Sequence, residues 1–184
     1  MTRDEALQIL KENLSNQNLI KHCFAVEAIM KALAQRFGQD QERWGLSGLL
    51  HDIDYEKVKN DLSQHSLVGA KMLEDLGLDK DICQAVKVHN EAHGITPETL
   101  MEKALFVTDP LTGLIVAATL VLPSKKIKDL TVENILNRYK EKAFARGANR
   151  EIIGKCEELL GLKLEEFVKI GLGAMQEIDT ELEL

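Results

Sequence analysis

Helical hydrophobic periodicity runs through nearly the whole chain, and it limits the fold more than any other feature. Apolar residues recur three and four positions apart, and most such segments begin at a polar residue that can cap a helix. Thr2 and Glu5 have the spacing of a capping box, and Gly38 and Gly77 are typical helix stops. No segment alternates apolar and polar residues as a half-buried strand does. The sequence therefore predicts an all-α fold.

The expected helices can be placed along the chain. They begin at Thr2, after Asn16, after Asp40, at Ser63 or Ser66, after Asp79, after Thr131 and after Asn149, and the last covers Leu164 to Leu184. From Glu98 to Leu122 we expect a helical pair broken near Asp109-Pro110, because proline disfavours helix at the preceding residue. We interpret residues 1–184 as one domain, with a core of about residues 18–122 and a C-terminal helical extension of about residues 124–184.

Charge and cysteine content restrict the partners. The net charge of -7 disfavours duplex nucleic acid, which needs a basic face, although a free nucleotide remains possible. The three cysteines have no C-x-x-C spacing, so neither disulfides nor a thiolate zinc site is expected. The N-terminus lacks an apolar signal region, and the longest apolar stretch, Leu111 to Leu122, is too short for a membrane span. We expect a cytoplasmic protein without a membrane partner, and its oligomeric state stays open.

Histidine and aspartate residues form an ordered set. They are His22, His51-Asp52, His65, His89 and Asp109. Each lies within or at the end of an expected helix with apolar neighbours, where an unpaired charge is costly. Imidazole and carboxylate groups together are the ligands of a divalent metal, so a metal is one candidate partner for these charges.

These residues also carry a family resemblance. His22, the run Leu49-Leu50-His51-Asp52, and Asp109 resemble the signature of the HD-domain superfamily of metal-dependent phosphohydrolases. The stretches from Val107 to Leu114 and from Phe144 to Glu151 are similar to those of a small bacterial subgroup of predicted HD hydrolases. The resemblance implies an HD-domain helical bundle, which agrees with the periodicity.

The resemblance further implies a ligand set and a chemistry. His22, His51, Asp52 and Asp109 match the metal ligands, and this set suits a divalent ion such as Mn, Fe, Co, Ni, Mg or Zn. The metal-activated water is implied to attack phosphorus. His65 and His89 match positions that bind a second metal in some HD proteins and the substrate phosphate in others, so one or two ions are expected.

Four further assignments complete the expected site. Asp52, Asp54, His65 and His89 are candidates for catalysis, and His65, His89, Arg146 and Arg150 for substrate binding. Asp54 would orient the attacking water or a ligand imidazole, unless it is simply exposed at a helix end. Arg146 and Arg150 flank an expected Asn149 cap, where two guanidinium groups and a helix N-terminus would hold phosphate. The alternative for both arginines is a surface salt bridge.

The expected function is hydrolysis of a phosphomonoester or a nucleotide phosphate, with a small phosphorylated molecule as partner. The same ligands would also serve a pyrophosphohydrolase or a phosphodiesterase, and the sequence does not separate these activities. Two alternatives belong to other classes. One is a non-catalytic metal- or nucleotide-binding regulatory module, and the other is an all-α scaffold with coincidental histidines.

Overall fold

The computed structural model describes residues 1–184 and contains only helices and connecting segments, which confirms the all-α prediction. Three short 3-10 turns join the longer elements. The α-helices in chain order are α1 (Arg3–Asn13), α2 (Gln17–Phe37), α3 (Gln41–Leu50), α4 (Leu67–Asp75), α5 (Lys80–Val88), α6 (Leu100–Leu120), α7 (Val132–Lys140), α8 (Arg150–Gly154), α9 (Cys156–Leu160), α10 (Leu164–Glu177) and α11 (Asp179–Leu182).

Capping residues fix where several helices begin and end. The Thr2 hydroxyl accepts from the Glu5 amide and the Glu5 carboxylate accepts from the Thr2 amide, which is the expected capping box. The side chains of Asn16 and Asp40 accept from amides in the first turns of α2 and α3, without a return bond. Gly38 ends α2 at a φ of 65°, a conformation that costs glycine little.

One hydrophobic core joins both ends of the chain. The long helices α2 and α6 cross its centre and bury residues such as Leu33 and Leu105 completely. The C-terminal helices contribute Ile153 and Phe167 to the same core, because α8, α9 and α10 pack against α6 and α10 also packs against α2. The C-terminal extension therefore supports the two helices that cross the core.

The predicted break near Asp109-Pro110 is wrong, because α6 is a single helix from Leu100 to Leu120. A proline inside a helix typically costs about 3 kcal/mol, since it removes one amide donor. Here apolar side chains are buried on both sides of it, including Leu105 and Leu111, and this packing outweighs the local cost. Asp109 consequently lies in the middle of a helix, on the side that faces α2.

Helix α6 is also long and apolar enough to cross a membrane, judged by length and composition alone. Its most apolar window has a mean hydropathy of 1.4, and 61% of that window is buried inside the structure. The apolar stretch that begins at Leu111 covers only the second half of helix α6. The whole helix is therefore longer than that stretch indicated. Core helices of folded domains pass the same test, so the length is weak evidence for a span.

Two expected C-terminal helices are divided. The helix capped by Asn149 is interrupted at Lys155 into α8 and α9, and the last one is interrupted at Ile178 into α10 and α11. Helix α7 ends at Lys140, before Phe144, so residues 141–149 form an irregular segment. This segment lies beside the site described below.

Helix α3 approaches α2 closely because Gly48 has no side chain. A Cβ atom at Gly48 would lie 2.9 Å from both the Cα and the N atoms of Glu27. Real Cβ atoms do not come so close to a backbone, so any other residue would push the helices apart. This contact brings the C-terminal end of α3 beside α2.

We predict that Gly48→Ala destabilises the protein by about 1–3 kcal/mol, the usual cost of overpacking. Gly173→Ala is the matched control, because Gly173 also lies within a helix and a Cβ atom added there would meet nothing within 4 Å. It should leave stability unchanged or raise it by up to about 1 kcal/mol. Urea unfolding measures both, and equal effects would contradict the close contact.

Candidate metal centre

All six ordered histidine and aspartate side chains converge where α2, α3, α5 and α6 meet. His22 comes from α2, His51 and Asp52 follow α3, His65 precedes α4, His89 ends α5, and Asp109 comes from α6. Residues that are separated by up to 87 positions are thus within contact distance. The structure places each of them where a common ligand could touch it.

One group of atoms surrounds the Nε2 atom of His22. It lies 3.1 Å from His51 Nε2, 3.1 Å from Asp109 Oδ1 and 3.6 Å from Asp52 Oδ2. Ligand atoms about 2.1 Å from a shared ion lie about 3.0–3.5 Å from one another, as simple octahedral or tetrahedral geometry requires. Two of the three separations lie in this range and the one to Asp52 lies just beyond it, so the group is close to the geometry of a single divalent ion.

A second group of atoms surrounds the other carboxylate oxygen of Asp52. Asp52 Oδ1 lies 3.2 Å from His65 Nε2, 3.3 Å from His51 Nε2 and 3.6 Å from His89 Nε2. The carboxylate of Asp52 consequently stands between the two groups and offers one oxygen to each. This is the arrangement that two neighbouring ions need.

Each imidazole is oriented by a contact on its Nδ1 atom. His51 Nδ1 lies 2.8 Å from the Gly48 carbonyl, and His89 Nδ1 lies 2.6 Å from the Val86 carbonyl. A carbonyl only accepts, so both Nδ1 atoms donate and both Nε2 atoms carry a free lone pair. The neutral tautomer that binds a metal is thereby selected.

Thr112 does the same for His22. Its hydroxyl donates to the Asp109 carbonyl at 2.8 Å, so its oxygen is left to accept from His22 Nδ1 at 3.0 Å. In the neutral ring the lone pair of His22 Nε2 then faces that of His51 Nε2, and a metal ion between them would satisfy both. Sequence reasoning missed Thr112, although its position three residues after Asp109 on the same helix was the available signal.

Asp54 supports His65 from behind. It is fully buried, and its carboxylate accepts from His65 Nδ1 at 2.9 Å and from the amides of Ser66 and Gly69 at 2.9 and 2.7 Å. It does not line the cavity, but it orients the His65 imidazole, which is one of the two roles expected for it, and orientation of the attacking water stays a prediction. Glu56 accepts from the amides of Ser15 and Asn16 and has a structural role.

The pKa values show how charge is distributed. Burial lowers the pKa of His51 to about 4, and the nearby Asp52 carboxylate opposes this only in part. Burial alone would raise the pKa of Asp52, but the surrounding imidazoles hold it well below its usual range. The pKa of Asp109 is also lowered, because His22 outweighs its burial. The carboxylates are therefore ionised and His51 is neutral, as metal binding requires.

His65 differs from His51. Burial would lower its pKa, yet hydrogen bonds to Asp52 and Asp54 raise the pKa to about 10. The pKa of His22 is raised as well, because Asp109 and Asp52 outweigh its burial. The two carboxylates thus favour a positive charge on His65 and His22. A metal ion could supply this positive charge instead, and the Nε2 positions are compatible with its ligation, so the donor set fits divalent ions.

A family comparison agrees with this geometry. A family model described as the HD domain matches residues 19–143. The chain belongs to the HD-domain family. The superfamily consists of metal-dependent phosphohydrolases, and the resemblance seen in the sequence is confirmed.

Similar proteins carry several different names. The chain is 31% identical to Ribonuclease Y of Oleidesulfovibrio alaskensis over 141 residues, which is 74% of the chain and 27% of that protein. It is 36% identical over 110 residues to an uncharacterized protein of Methanocaldococcus jannaschii, covering 57% of the chain and 63% of the relative. It is 26% identical over 172 residues to a tRNA (cytidine(56)-2'-O)-methyltransferase of Picrophilus torridus, covering 90% of the chain and 49% of that protein.

The chain spans about a quarter of the length of the Ribonuclease Y relatives. Similarity therefore concerns one part of those proteins. No solved structure gave a significant match.

A cavity of about 430 Å³ opens over the HD-domain centre. Its floor includes His22, Asp52, His65, His89 and Asp109. Apolar residues such as Phe106 form one part of its wall, and polar residues such as Asn90 form another. Cavities of this size hold small molecules.

The expected arginine fork is not formed. The Arg150 guanidinium donates to the carbonyls of Phe144, Ala145 and Ala148, and so it closes the irregular segment 141–149 upon itself. It does not line the cavity, and its role as a phosphate ligand is corrected. The backbone carbonyls of this segment accept the hydrogen bonds that we expected Arg150 to donate to a phosphate group. Arg146 is exposed and has no ion pair, and its contact with substrate stays a prediction.

We predict that Thr112→Val lowers the affinity of the His22 group for Mn²⁺ by roughly 10–100-fold, the usual effect of removing a partner behind a ligand histidine. Thr119→Val is the matched control, since Thr119 is buried on the same helix and donates only to the Ile115 carbonyl. Calorimetric titration measures both affinities. Equal affinity in the two variants would show that Thr112 does not orient His22.

We also predict a proton release on metal binding. A pKa of about 10 leaves His65 protonated in the metal-free protein near neutral pH, so ligation through Nε2 must displace that proton. Metal affinity should consequently rise with pH up to about that value. Titrations in two buffers of different ionisation enthalpy count the protons. Wild type should release about one more than His65→Gln, and equal release would assign His65 to the substrate instead.

Proposed function

We propose that the protein is a divalent-metal-dependent phosphohydrolase that releases phosphate from a phosphomonoester or a nucleotide. One observation carries the proposal. Four Nε2 atoms with fixed orientation meet two carboxylates on the floor of a cavity that is large enough for a small molecule. Membership of a superfamily of phosphohydrolases supports the same conclusion.

The residues divide between two possible ions. His22, His51, Asp52 and Asp109 would hold the first, and Asp52, His65 and His89 would hold a second. The mixed imidazole and carboxylate ligands suit Mn, Fe, Co, Ni, Mg or Zn. When bound, such ions supply the positive charge that activates water and polarises a phosphoryl oxygen.

The protein's own residues prepare the site. The contacts on Nδ1 hold each imidazole in one orientation, so little rearrangement is needed when the ester binds. Phe106 and its apolar neighbours exclude bulk water from part of the cavity, which strengthens electrostatic contacts there. If only the first ion is present, the protonated His65 donates to Asp52 and Asp54, and its positive charge beside the cavity would attract a phosphate group.

A phosphodiester is the second candidate substrate, and similarity to proteins named Ribonuclease Y favours it. No lysine or arginine side chain lines the cavity, however, and nucleic acids are usually held by such cations. We therefore place a small phosphorylated molecule first. A cytoplasmic location, without duplex nucleic acid or membrane as partner, is part of the same proposal.

We predict that Asp52→Asn removes most bound metal and nearly all phosphate release, since Asp52 offers an oxygen to both groups of ligands. Asp129→Asn is the matched control, because Asp129 is exposed and its side chain has no hydrogen-bond or ion-pair partner. Elemental analysis and phosphate release across monoesters, diesters and pyrophosphates measure the effects. Helicity should be unchanged, since the fold rests on apolar packing.

Two results would contradict the proposal. If Asp52→Asn keeps full metal content and activity, the reaction centre lies elsewhere. If the wild-type protein binds metal tightly but releases phosphate from no member of the panel, the chain is a metal-binding module that lacks hydrolase activity.

A further inference from the structure

The ionisable side chains around the cavity are almost all used by the metal centre. Glu91 is the one lining carboxylate outside that centre, and it lies exposed at the rim. No lysine or arginine lines the cavity to balance it. Two divalent ions would be about balanced by the carboxylates of Asp52, Asp54, Asp109 and Glu91, so the negative charge of Glu91 at the rim opposes any phosphate group beyond the one at the ions.

Glu91 is held in place by two segments. It starts the 3-10 turn that follows His89, and the amide of Asn149 donates to both of its carboxylate oxygens, at 3.0 and 3.2 Å. A carboxylate has about four acceptor positions, so at least two remain for a ligand. The Asn149 amide is oriented in turn, because its oxygen accepts from the amides of Glu151 and Ile152. The two carboxylate oxygens of Glu91 are thus held in a fixed position at the rim, where they can accept hydrogen bonds from a ligand.

The wall near Glu91 is apolar. Ala148 and Ile152 come from the segment that contains Asn149, and Phe106 and Pro110 come from one face of α6. A ligand that reaches from the ions to the rim therefore meets both hydrogen-bond acceptors and apolar side chains. A hydroxyl-bearing sugar attached to a planar base has this combination of groups.

We propose that Glu91 is a specificity residue that selects nucleoside monophosphates, by accepting hydrogen bonds from the ribose hydroxyls and by repelling additional phosphate groups. The inference rests on the proposed function, because it assumes that the phosphate lies at the ions. Glu91 touches the sugar and not the reacting phosphorus. Its removal should therefore change KM and leave kcat nearly unchanged.

The test compares wild type with Glu91→Gln, which removes the charge while keeping an oxygen that can accept from Asn149. Glu151→Gln is the control, since Glu151 is exposed and does not line the cavity. The probes are adenosine 5′-monophosphate, its 2′,3′-dideoxy analogue and adenosine 5′-diphosphate. Phosphate release is measured with Mn²⁺. Binding is measured separately by calorimetry with Ca²⁺.

The expected result is a change of substrate preference. Glu91→Gln should weaken binding of the monophosphate by about tenfold, the usual scale for a lost hydrogen bond to a charged group. It should leave the dideoxy analogue unchanged and improve binding of the diphosphate. Metal content and kcat should stay at the wild-type values, whereas a merely structural role of Glu91 would weaken all three ligands together.

Failure of this inference can be distinguished from failure of the proposed function. If the monophosphate binds through Glu91 but no phosphate is released, the hydrolase proposal falls and the binding role of Glu91 stands. Suppose instead that phosphate is released. If Glu91→Gln then changes neither the preference for the monophosphate over its dideoxy analogue nor the preference for the monophosphate over the diphosphate, the inference is overturned. Absence of monophosphate binding to the wild-type protein would overturn it as well.

Discussion

Hydrogen bonds donated by the Nδ1 atoms of four imidazoles determine what this centre can bind. The acceptors are two helix carbonyls, the Thr112 hydroxyl and the Asp54 carboxylate, and each bond directs an Nε2 atom toward the same small volume. Without them the rings could rotate or exchange tautomers, and the lone pairs would not meet. Positive charge offsets the cost of facing lone pairs and buried carboxylates, so the arrangement suits a cation.

Packing in the apolar core positions the helices that carry these ligands. Gly48 lets α3 approach α2, which brings His51 to His22, and Gly48 also supplies the carbonyl that orients His51. Continuous packing along α6 keeps Asp109 and Thr112 on one helix despite Pro110. The C-terminal helices pack against α6 and α2 and so hold these ligands in register. Stability and metal binding therefore depend on the same contacts.

Sequence reasoning succeeded where a local pattern sufficed. Caps and periodicity predicted most helices, and the order of histidine and aspartate residues identified the side chains that the fold brings together. It failed where a distant contact decided the outcome. Burial on both sides of Pro110 outweighed its preference for a break, and carbonyls of segment 141–149 accept the hydrogen bonds of Arg150. None of these partners is evident from neighbouring residues.

Two neighbouring groups of ligands share the carboxylate of Asp52, and the metal chemistry proposed for the protein depends on this sharing. An anomalous difference map from crystals of the protein grown with Mn²⁺ tests it most directly. The map should show two peaks, one among His22, His51 and Asp109 and one beside His65 and His89, with Asp52 between them. A map with no peak at the first group, or with manganese bound only elsewhere on the protein, would contradict a shared metal centre.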